Sequence, residues 1–329
     1  MGRVIRRTTS VIRIFLGLSL LVYVLNRSGV GALVPVLSQP WVLAALVGLT
    51  ILGAWVEAER LRILFRAGGL NLTWHAAYRV VPVSNFFNYC IPGGTGGDVV
   101  KLYYLAKDNR RKGLEVATTV LVDRALALFA VLAFVTILMI VNRDLVMSNP
   151  VLRGLAVVVL GSLAAIVTVA MLSWSTWLRG TRFYTWVMAR MPLRQYVERV
   201  ANALHSFGDR KRALFAAMLV SVCGHVAMAA TFVAVSSVVI PGAPGEQVAL
   251  LSMTGMVANA IPLTPGGVGV GEAAFEHLFG LVGFHGGALL LVLWRVGMLP
   301  IATLGATLYI TGQAGRSRPI LGESAPEAS

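Results

Sequence analysis

Six long segments of the sequence are predominantly apolar, and no other feature constrains the fold as strongly. A helix needs about 20 apolar residues to cross the hydrocarbon core of a membrane. The segments near that length are 11–26, 40–58, 114–141, 151–173, 213–239 and 286–312. We therefore predict six transmembrane helices. The first follows basic residues and precedes no small-residue cleavage site, so it is expected to be a start-anchor helix rather than a signal peptide.

The overall composition supports a membrane protein of the all-α class. Only 13% of the residues are charged and 57% are hydrophobic, whereas a soluble domain carries about 25% charged residues. We predict a single membrane domain over 1–315, followed by a polar cytoplasmic tail at 316–329. The two cysteines lie in apolar segments, which excludes a disulfide framework and a cysteine-rich metal site.

Two further apolar regions are interrupted by glycine and proline. In the first hairpin, apolar arms at 76–91 and 98–108 flank the run Pro92 to Gly97. In the second hairpin, arms at 248–261 and 268–282 flank the run Pro262 to Gly267. Irregular backbone is tolerated at membrane depth only where protein or a wet cavity surrounds it. The pattern predicts two re-entrant helical hairpins, and the alternative is a pair of surface loops between kinked spans.

The basic residues lie mostly on one side of this layout. Of the 28 lysines and arginines, 23 fall in the N-terminus (with Arg13 counted there), 57–79, 98–113, 174–212 and 313–329. The opposite side has Arg27, Arg143 and Arg153, and Arg124 and Arg295 lie within spans. The positive-inside rule then predicts a cytoplasmic location for the basic side and for both termini. The net charge of +14 is mostly explained by topology, and we expect no nucleic-acid partner.

The same layout divides the chain into an inverted repeat, with halves at about 1–148 and 149–315. Each half has two spans, a hairpin and a span, and the two hairpins enter from opposite sides. Both hairpins contain an asparagine before an Ile-Pro pair, then a glycine-rich turn, then an acidic residue that begins a helix. Inverted repeats with broken helices are typical of secondary transporters. The segment 174–212, rich in tryptophan and arginine, is either an interfacial element or a connecting loop.

Charged residues at membrane depth are the candidate site, because each is costly unless it is paired or hydrated. Asp98 and Glu272 each begin a helix, where a carboxylate can act as a cap. Serine or threonine would cap without bringing a charge into the membrane, which favours a functional role. Glu276, one turn after Glu272, is expected to share a proton or cation with it.

The basic candidates are Lys101, Arg124 and Arg295, which we expect to bind an anionic head group together with backbone amides of the glycine turns. The alternative is a structural ion pair in which Asp123 or Asp98 neutralises Arg124. In the functional interpretation, Asp98 and Glu272 approach each other around one cavity. The complete set of predicted lipid-binding residues is Gly93, Gly94, Gly96, Gly97, Asp98, Lys101, Asp123, Arg124, Pro265, Gly266, Gly267, Gly269, Glu272, Glu276 and Arg295.

These motifs resemble the transmembrane-region family of lysylphosphatidylglycerol synthases, also described as flippase-like proteins. The resemblance rests on the two glycine motifs with Asp98 and Glu272, on Asp123-Arg124 and on Arg295 with Pro300. It implies a membrane part that flips aminoacylated phosphatidylglycerol in bifunctional members, with relatives linked to hopanoids and polyprenyl-linked sugars. The sequence shows no synthase domain, so aminoacyl transfer is not expected.

The predicted function is that of a multi-pass cell-membrane transporter, or flippase-like protein, for lipids. It would move or bind an anionic or aminoacylated phospholipid, or a polyprenyl- or hopanoid-type lipid. Metalloprotease, serine-hydrolase and Walker A motifs are absent from the sequence, and we expect neither catalysis nor a cofactor or metal. The expected partners are membrane lipids. The alternative is a non-transporting subunit that anchors or regulates a lipid-synthesising enzyme.

Overall fold

The computed structural model describes residues 36, 38–70, 72–90, 96–108, 112–174, 198–199, 202–203, 205, 207–260 and 269–313. Within these residues the regular structure is helical and contains no strand, which confirms the predicted all-α class. A short 3-10 turn, Gly208–Arg210, precedes the helix that begins at Lys211. The helices are α1 (Pro40–Ala67), α2 (Trp74–Cys90), α3 (Gly96–Asp108), α4 (Gly113–Val141), α5 (Arg143–Ser148), α6 (Pro150–Trp174), α7 (Lys211–Val239), α8 (Gly245–Asn259), α9 (Val270–Gly280), α10 (Gly287–Gly297) and α11 (Leu299–Ile310).

Five stretches of the described chain are long and apolar enough to cross a membrane. They are Pro40–Ala67, Gly113–Val141, Pro150–Thr168, Lys211–Val239 and Gly287–Ile310, and they correspond to five of the six predicted spans. The sixth, 11–26, lies outside the described residues. The last stretch contains two helices, α10 and α11, because a proline in the first turn of α11 cannot continue the hydrogen bonding of α10.

Helix α1 is longer than predicted, since the span was expected to end at residue 58. Leu61, Leu64 and Phe65 are fully buried and continue one apolar face at helical spacing, so the helix extends to Ala67. Arg60 and Lys101, which were assigned to cytoplasmic loops, are 9% and 4% exposed and lie inside the helical bundle. Without them, 21 basic residues remain on the predicted cytoplasmic side and three on the opposite side, so the predicted orientation is unchanged.

The arms of both predicted hairpins are helices. Those of the first hairpin, α2 and α3, have 17 and 13 residues, and those of the second, α8 and α9, have 15 and 11. Each is shorter than the length needed to cross the hydrocarbon core alone. The turns between the arms, at 91–95 and 261–268, lie outside the described residues. A re-entrant course for the two hairpins therefore remains a prediction.

Helices from the two halves of the chain pack against each other, and glycines provide the close approaches. A Cβ at Gly224 of α7 would lie 3.0 Å from Val56 of α1. A Cβ at Gly305 of α11 would overlap the carbonyl of Pro82 in α2. The second hairpin lies in the largest apolar core, where the Phe275 and Phe232 rings are 5.4 Å apart. These contacts place the first hairpin beside α11 and the second beside α7.

Two predicted features fall outside the part of the chain that the structure describes. The aromatic and basic residues of 174–212 lie mostly there, as does the tail at 316–329. Their predicted roles, as an interfacial element and a cytoplasmic tail, stay predictions. The division into repeats at about residue 148 also remains a prediction.

Candidate functional site

One asparagine of the first arm of the first hairpin forms a hydrogen bond with the start of the second arm. Asn88 Oδ1 accepts a hydrogen bond of 2.8 Å from the Gly97 backbone N–H. A Cβ at Gly97 would lie 2.6 Å from that oxygen and closer still to Ser84 Oγ. Only glycine fits, because any side chain would displace the asparagine that connects the two arms.

Asp98, next to Gly97, forms an ion pair with Arg124 of α4. This contact agrees with the ion-pair alternative considered above, in which Asp98 neutralises Arg124. The two side chains are nevertheless 29% and 42% exposed. The pair is therefore not sealed in the protein interior, and both charges remain available to a further polar partner.

A second group of charges, called here the buried network, includes Asp123 and Lys101, which are one and three residues from Arg124 and Asp98 in the sequence. It comprises Glu57, Arg60, Lys101 and Asp123. Arg60 Nε lies 2.7 Å from Asp123 Oδ1. Lys101 Nζ lies 2.7 Å from Glu57 Oε1 and 3.6 Å from Asp123 Oδ2. Two cations and two carboxylates make the network electrically neutral, which reduces the cost of burying charge.

The buried network connects five helices. Its own residues come from α1, α3 and α4. Asn85 of α2 donates a hydrogen bond of 3.2 Å to Glu57 Oε2, and Ser221 Oγ of α7 accepts one of 3.4 Å from Arg60. The network thus attaches both arms of the first hairpin to the transmembrane helices.

The second hairpin repeats the acid–arginine arrangement in a more closed form. Glu272 Oε2 accepts a hydrogen bond of 2.7 Å from the Gly269 N–H and so caps α9, while its Oε1 lies 3.2 Å from Arg295 Nε. The arginine also donates a hydrogen bond of 3.1 Å to Asn259 Oδ1. The Glu272 and Arg295 side chains are only 11% and 8% exposed.

The two halves therefore share an asparagine, a glycine, an acid and an arginine. In each half the glycine directly precedes the acid, and a Cβ on it would collide with the asparagine amide oxygen, as at Gly271 with Asn259. In each half the arginine of a later helix contacts the acid. This correspondence is what a repeated unit predicts, and the inverted orientation of the two halves stays a prediction.

Glu276 and Glu272 have different partners in the structure. Its carboxylate accepts hydrogen bonds of 3.3 Å from Gly286 N–H and 3.0 Å from Ala288 N–H, which caps α10. His285 Nδ1 lies 3.8 Å from the same carboxylate. A cavity of about 540 Å³ adjoins it and is lined by Ala273, Glu276, His277, Gly280, Leu281 and His285.

The structure thus brings Asp98 to Arg124, Glu272 to Arg295, and Lys101 to Asp123, all from the predicted set. Gly96, Gly97 and Gly269 lie at or just before the starts of α3 and α9. That the two acid–arginine pairs line one common cavity remains a prediction. The predicted residues outside the described part of the chain are Gly93, Gly94, Pro265, Gly266 and Gly267.

Four residues that form or contact the buried network were not predicted from the sequence, namely Glu57, Arg60, Asn85 and Ser221. The first two were placed at the end of a span or in a loop. Their spacing with Leu61 and Leu64 is i, i+3, i+4 and i+7, which is one face of a helix. That continued periodicity is the signal that could have placed them within α1.

Comparison with known proteins identifies the family. The family model described as the lysylphosphatidylglycerol synthase TM region matches residues 10–305. No curated protein and no solved structure matched the chain. The match covers most of the sequence, and five apolar helices long enough to span a membrane accompany it. The chain therefore belongs to the family of the lysylphosphatidylglycerol synthase transmembrane region, a family of multi-pass membrane proteins related to lipid handling.

Proposed function

We propose that the chain is a cell-membrane lipid transporter of the flippase-like type, with both termini in the cytoplasm. The observation that carries this proposal is the pairing of Asp98 with Arg124 and of Glu272 with Arg295. Arg124 lies eleven residues into the 29-residue helix α4, which is about 16 Å from its start at 1.5 Å per residue. Charges at such depth mark substrate pathways in membrane proteins.

The substrate class follows from the chemistry of the pairs. An arginine guanidinium matches a phosphate with two parallel hydrogen bonds, and the acid beside it can accept a hydrogen bond from an ammonium or hydroxyl group. Such a site suits an anionic or aminoacylated phospholipid, or a polyprenyl lipid with a phosphate. The acyl or isoprenoid chains would remain in the bilayer. We therefore propose that the chain transports lipids and does not catalyse a reaction on them.

The pairing disfavours a separate coupling cation at these carboxylates. Among the described residues, Glu57, Asp98, Asp123 and Glu272 each contact a lysine or arginine. A metal ion or coupling cation would have to displace these basic groups. We therefore propose that the carboxylates interact with arginine in the resting protein and with the head group during transport.

The test is native mass spectrometry of the lipids that copurify with the protein. We expect wild type to retain phosphate-bearing lipids, because the two arginines provide the head-group contacts. The double variant Arg124→Gln/Arg295→Gln should retain about tenfold less, since a charge-assisted hydrogen bond contributes about 1.5–3 kcal/mol. Arg143→Gln, at a side chain that is 79% exposed outside the site, is the matched control. Equal lipid retention by the double variant and the control would contradict the proposal.

The second candidate function is a membrane subunit that anchors or regulates a lipid-synthesising enzyme. The buried network favours this alternative, since its lysine and arginine each contact a carboxylate and such pairing suits a rigid scaffold. A scaffold should tolerate Asp98→Asn and Glu272→Gln without loss of function, provided that the variants fold and insert. A transporter that uses these acids should not.

A further inference from the structure

The ion pairs of the bundle differ sharply in exposure. The Lys101 and Asp123 side chains are 5% and 4% exposed, and those of Arg295 and Glu272 are 8% and 11%. Arg124 and Asp98, in contrast, are 42% and 29% exposed. The first-half pair is thus open to its surroundings, while its counterpart in the second half is enclosed.

The open pair has exposed apolar neighbours on both of its helices. Leu102 is one helical turn from Asp98 on α3 and is 37% exposed, and Leu128 is one turn from Arg124 on α4 and is 46% exposed. Residues four apart share one face of a helix, so each charge is next to an exposed leucine. We call this surface, formed by Asp98, Leu102, Arg124 and Leu128, the α3–α4 face.

Such an arrangement is costly without a polar occupant. The pair lies near the middle of α4, a helix about 44 Å long at 1.5 Å per residue, and the hydrocarbon core is only about 30 Å thick. A charge that faces lipid at this depth costs several kcal/mol unless it meets water or another charged group. The enclosed pair in the second half shows that the fold can bury an acid–arginine pair, so the exposure of the first pair is a specific feature.

We propose that the α3–α4 face is a lateral entrance for a phosphate-bearing lipid head group arriving from within the bilayer. The phosphate binds Arg124 in place of Asp98, and the lipid chains lie along Leu102 and Leu128. The freed Asp98 carboxylate accepts a hydrogen bond from a hydroxyl or amine of the head group. The entrance is confined to the first half, because Asn259 and the surrounding core close the corresponding pair of the second half. This inference rests on the proposed function.

The test is photo-crosslinking from single positions in the full-length protein. The photoreactive residue p-benzoylphenylalanine replaces Leu102 or Leu128 on the α3–α4 face, or Val157 on α6, which is 72% exposed and serves as the matched lipid-facing control. The purified proteins are placed in phosphatidylethanolamine vesicles with equal traces of radiolabelled phosphatidylglycerol and radiolabelled diacylglycerol. The measured quantity is the ratio of the two crosslinked lipids at each position.

We expect the ratio of phosphatidylglycerol to diacylglycerol to be about tenfold higher at Leu102 and Leu128 than at Val157, the effect of one charge-assisted contact. Arg124→Gln/Asp98→Asn should abolish this enrichment, and Arg124→Lys, which keeps the cation, should retain part of it. The first variant removes both charges and so leaves no unpaired charge that would prevent folding. Equal ratios at all three positions would overturn the proposal, and so would enrichment that survives the neutral double variant.

The outcome separates this inference from the proposed function. Enrichment at the α3–α4 face without lipid movement between leaflets would support the lateral binding site and contradict transport. Lipid movement without enrichment would support transport and contradict the lateral entrance.

Discussion

At the scale of single residues, the chemistry of the site depends on glycines that are in contact with asparagines. The sequence analysis assigned the glycine turns to head-group binding. In the structure, Gly97 and Gly271, each directly before an acid, lie against Asn88 and Asn259. The partners of the acids could not be predicted with certainty. Which arginine reaches which acid depends on how helices distant in sequence pack, and local patterns do not determine this.

Gly271→Ala should destabilise the protein by about 1–3 kcal/mol, the usual cost of overpacking. The new methyl group would overlap Asn259 Oδ1 and lie 2.8 Å from Leu291 Cδ2, so it would separate Asn259 from Arg295. Gly161→Ala is the matched control, because that mid-helix glycine has no atom within 4 Å of an added Cβ. Thermal denaturation in detergent, followed by circular dichroism, should show a lower Tm for the first variant only. Equal Tm values would contradict the tight packing.

At the scale of helices, most elements were predicted within a few residues because apolar length is a strong signal. Helix α1 was the exception. Glu57 and Arg60 were interpreted as the end of the apolar span, whereas they form part of the buried network with Lys101 and Asp123. A charged residue inside a span looks like a loop in the sequence, unless the apolar periodicity beyond it is followed.

Arg60→Met should destabilise the bundle by about 3–5 kcal/mol, because it leaves Asp123 buried and sharing Lys101 with Glu57. The double variant Arg60→Met/Asp123→Leu should recover most of that loss, since the remaining pair of Lys101 and Glu57 is neutral. Arg143→Met, from a pair whose side chains are 79% and 96% exposed, should change stability little. Denaturation of the four proteins in detergent provides the comparison. A double variant no more stable than the single one would argue against the neutral-network account.

At the scale of the whole molecule, the basic residues are distributed asymmetrically, and the two hairpins are predicted to enter the membrane from opposite sides. The chain belongs to the family of the lysylphosphatidylglycerol synthase transmembrane region, and its described part has five helices that are long and apolar enough to cross a membrane. Orientation is the whole-molecule feature that the positive-inside rule supplies from sequence alone. The correspondence between the two halves was visible in the glycine motifs, but the difference in exposure between their ion pairs was not. The exposure of a side chain depends on the neighbouring helices, and the residues of the motifs do not indicate it.

Cysteine labelling should establish the orientation. In a variant lacking Cys90 and Cys223, single cysteines at Lys107 and Arg199 should react only from the cytoplasmic side. Single cysteines at Asp144 and His285, whose side chains are 96% and 89% exposed, should react only from the opposite side. An impermeant maleimide applied to intact cells and to inverted vesicles distinguishes the two sides. Reaction of His285→Cys only from the cytoplasm would remove the inverted-repeat hypothesis.

The most direct measurement of the central claim is lipid movement in reconstituted vesicles. The vesicles contain fluorescent phosphatidylglycerol, and an impermeant reductant bleaches the label in the outer leaflet. We expect wild type and the Gly161→Ala control to expose the inner-leaflet label, while Asp98→Asn/Arg124→Gln and Glu272→Gln/Arg295→Gln leave it protected. If both double variants fold, insert and move the lipid at the wild-type rate, the acid–arginine pairs are structural and the account is wrong.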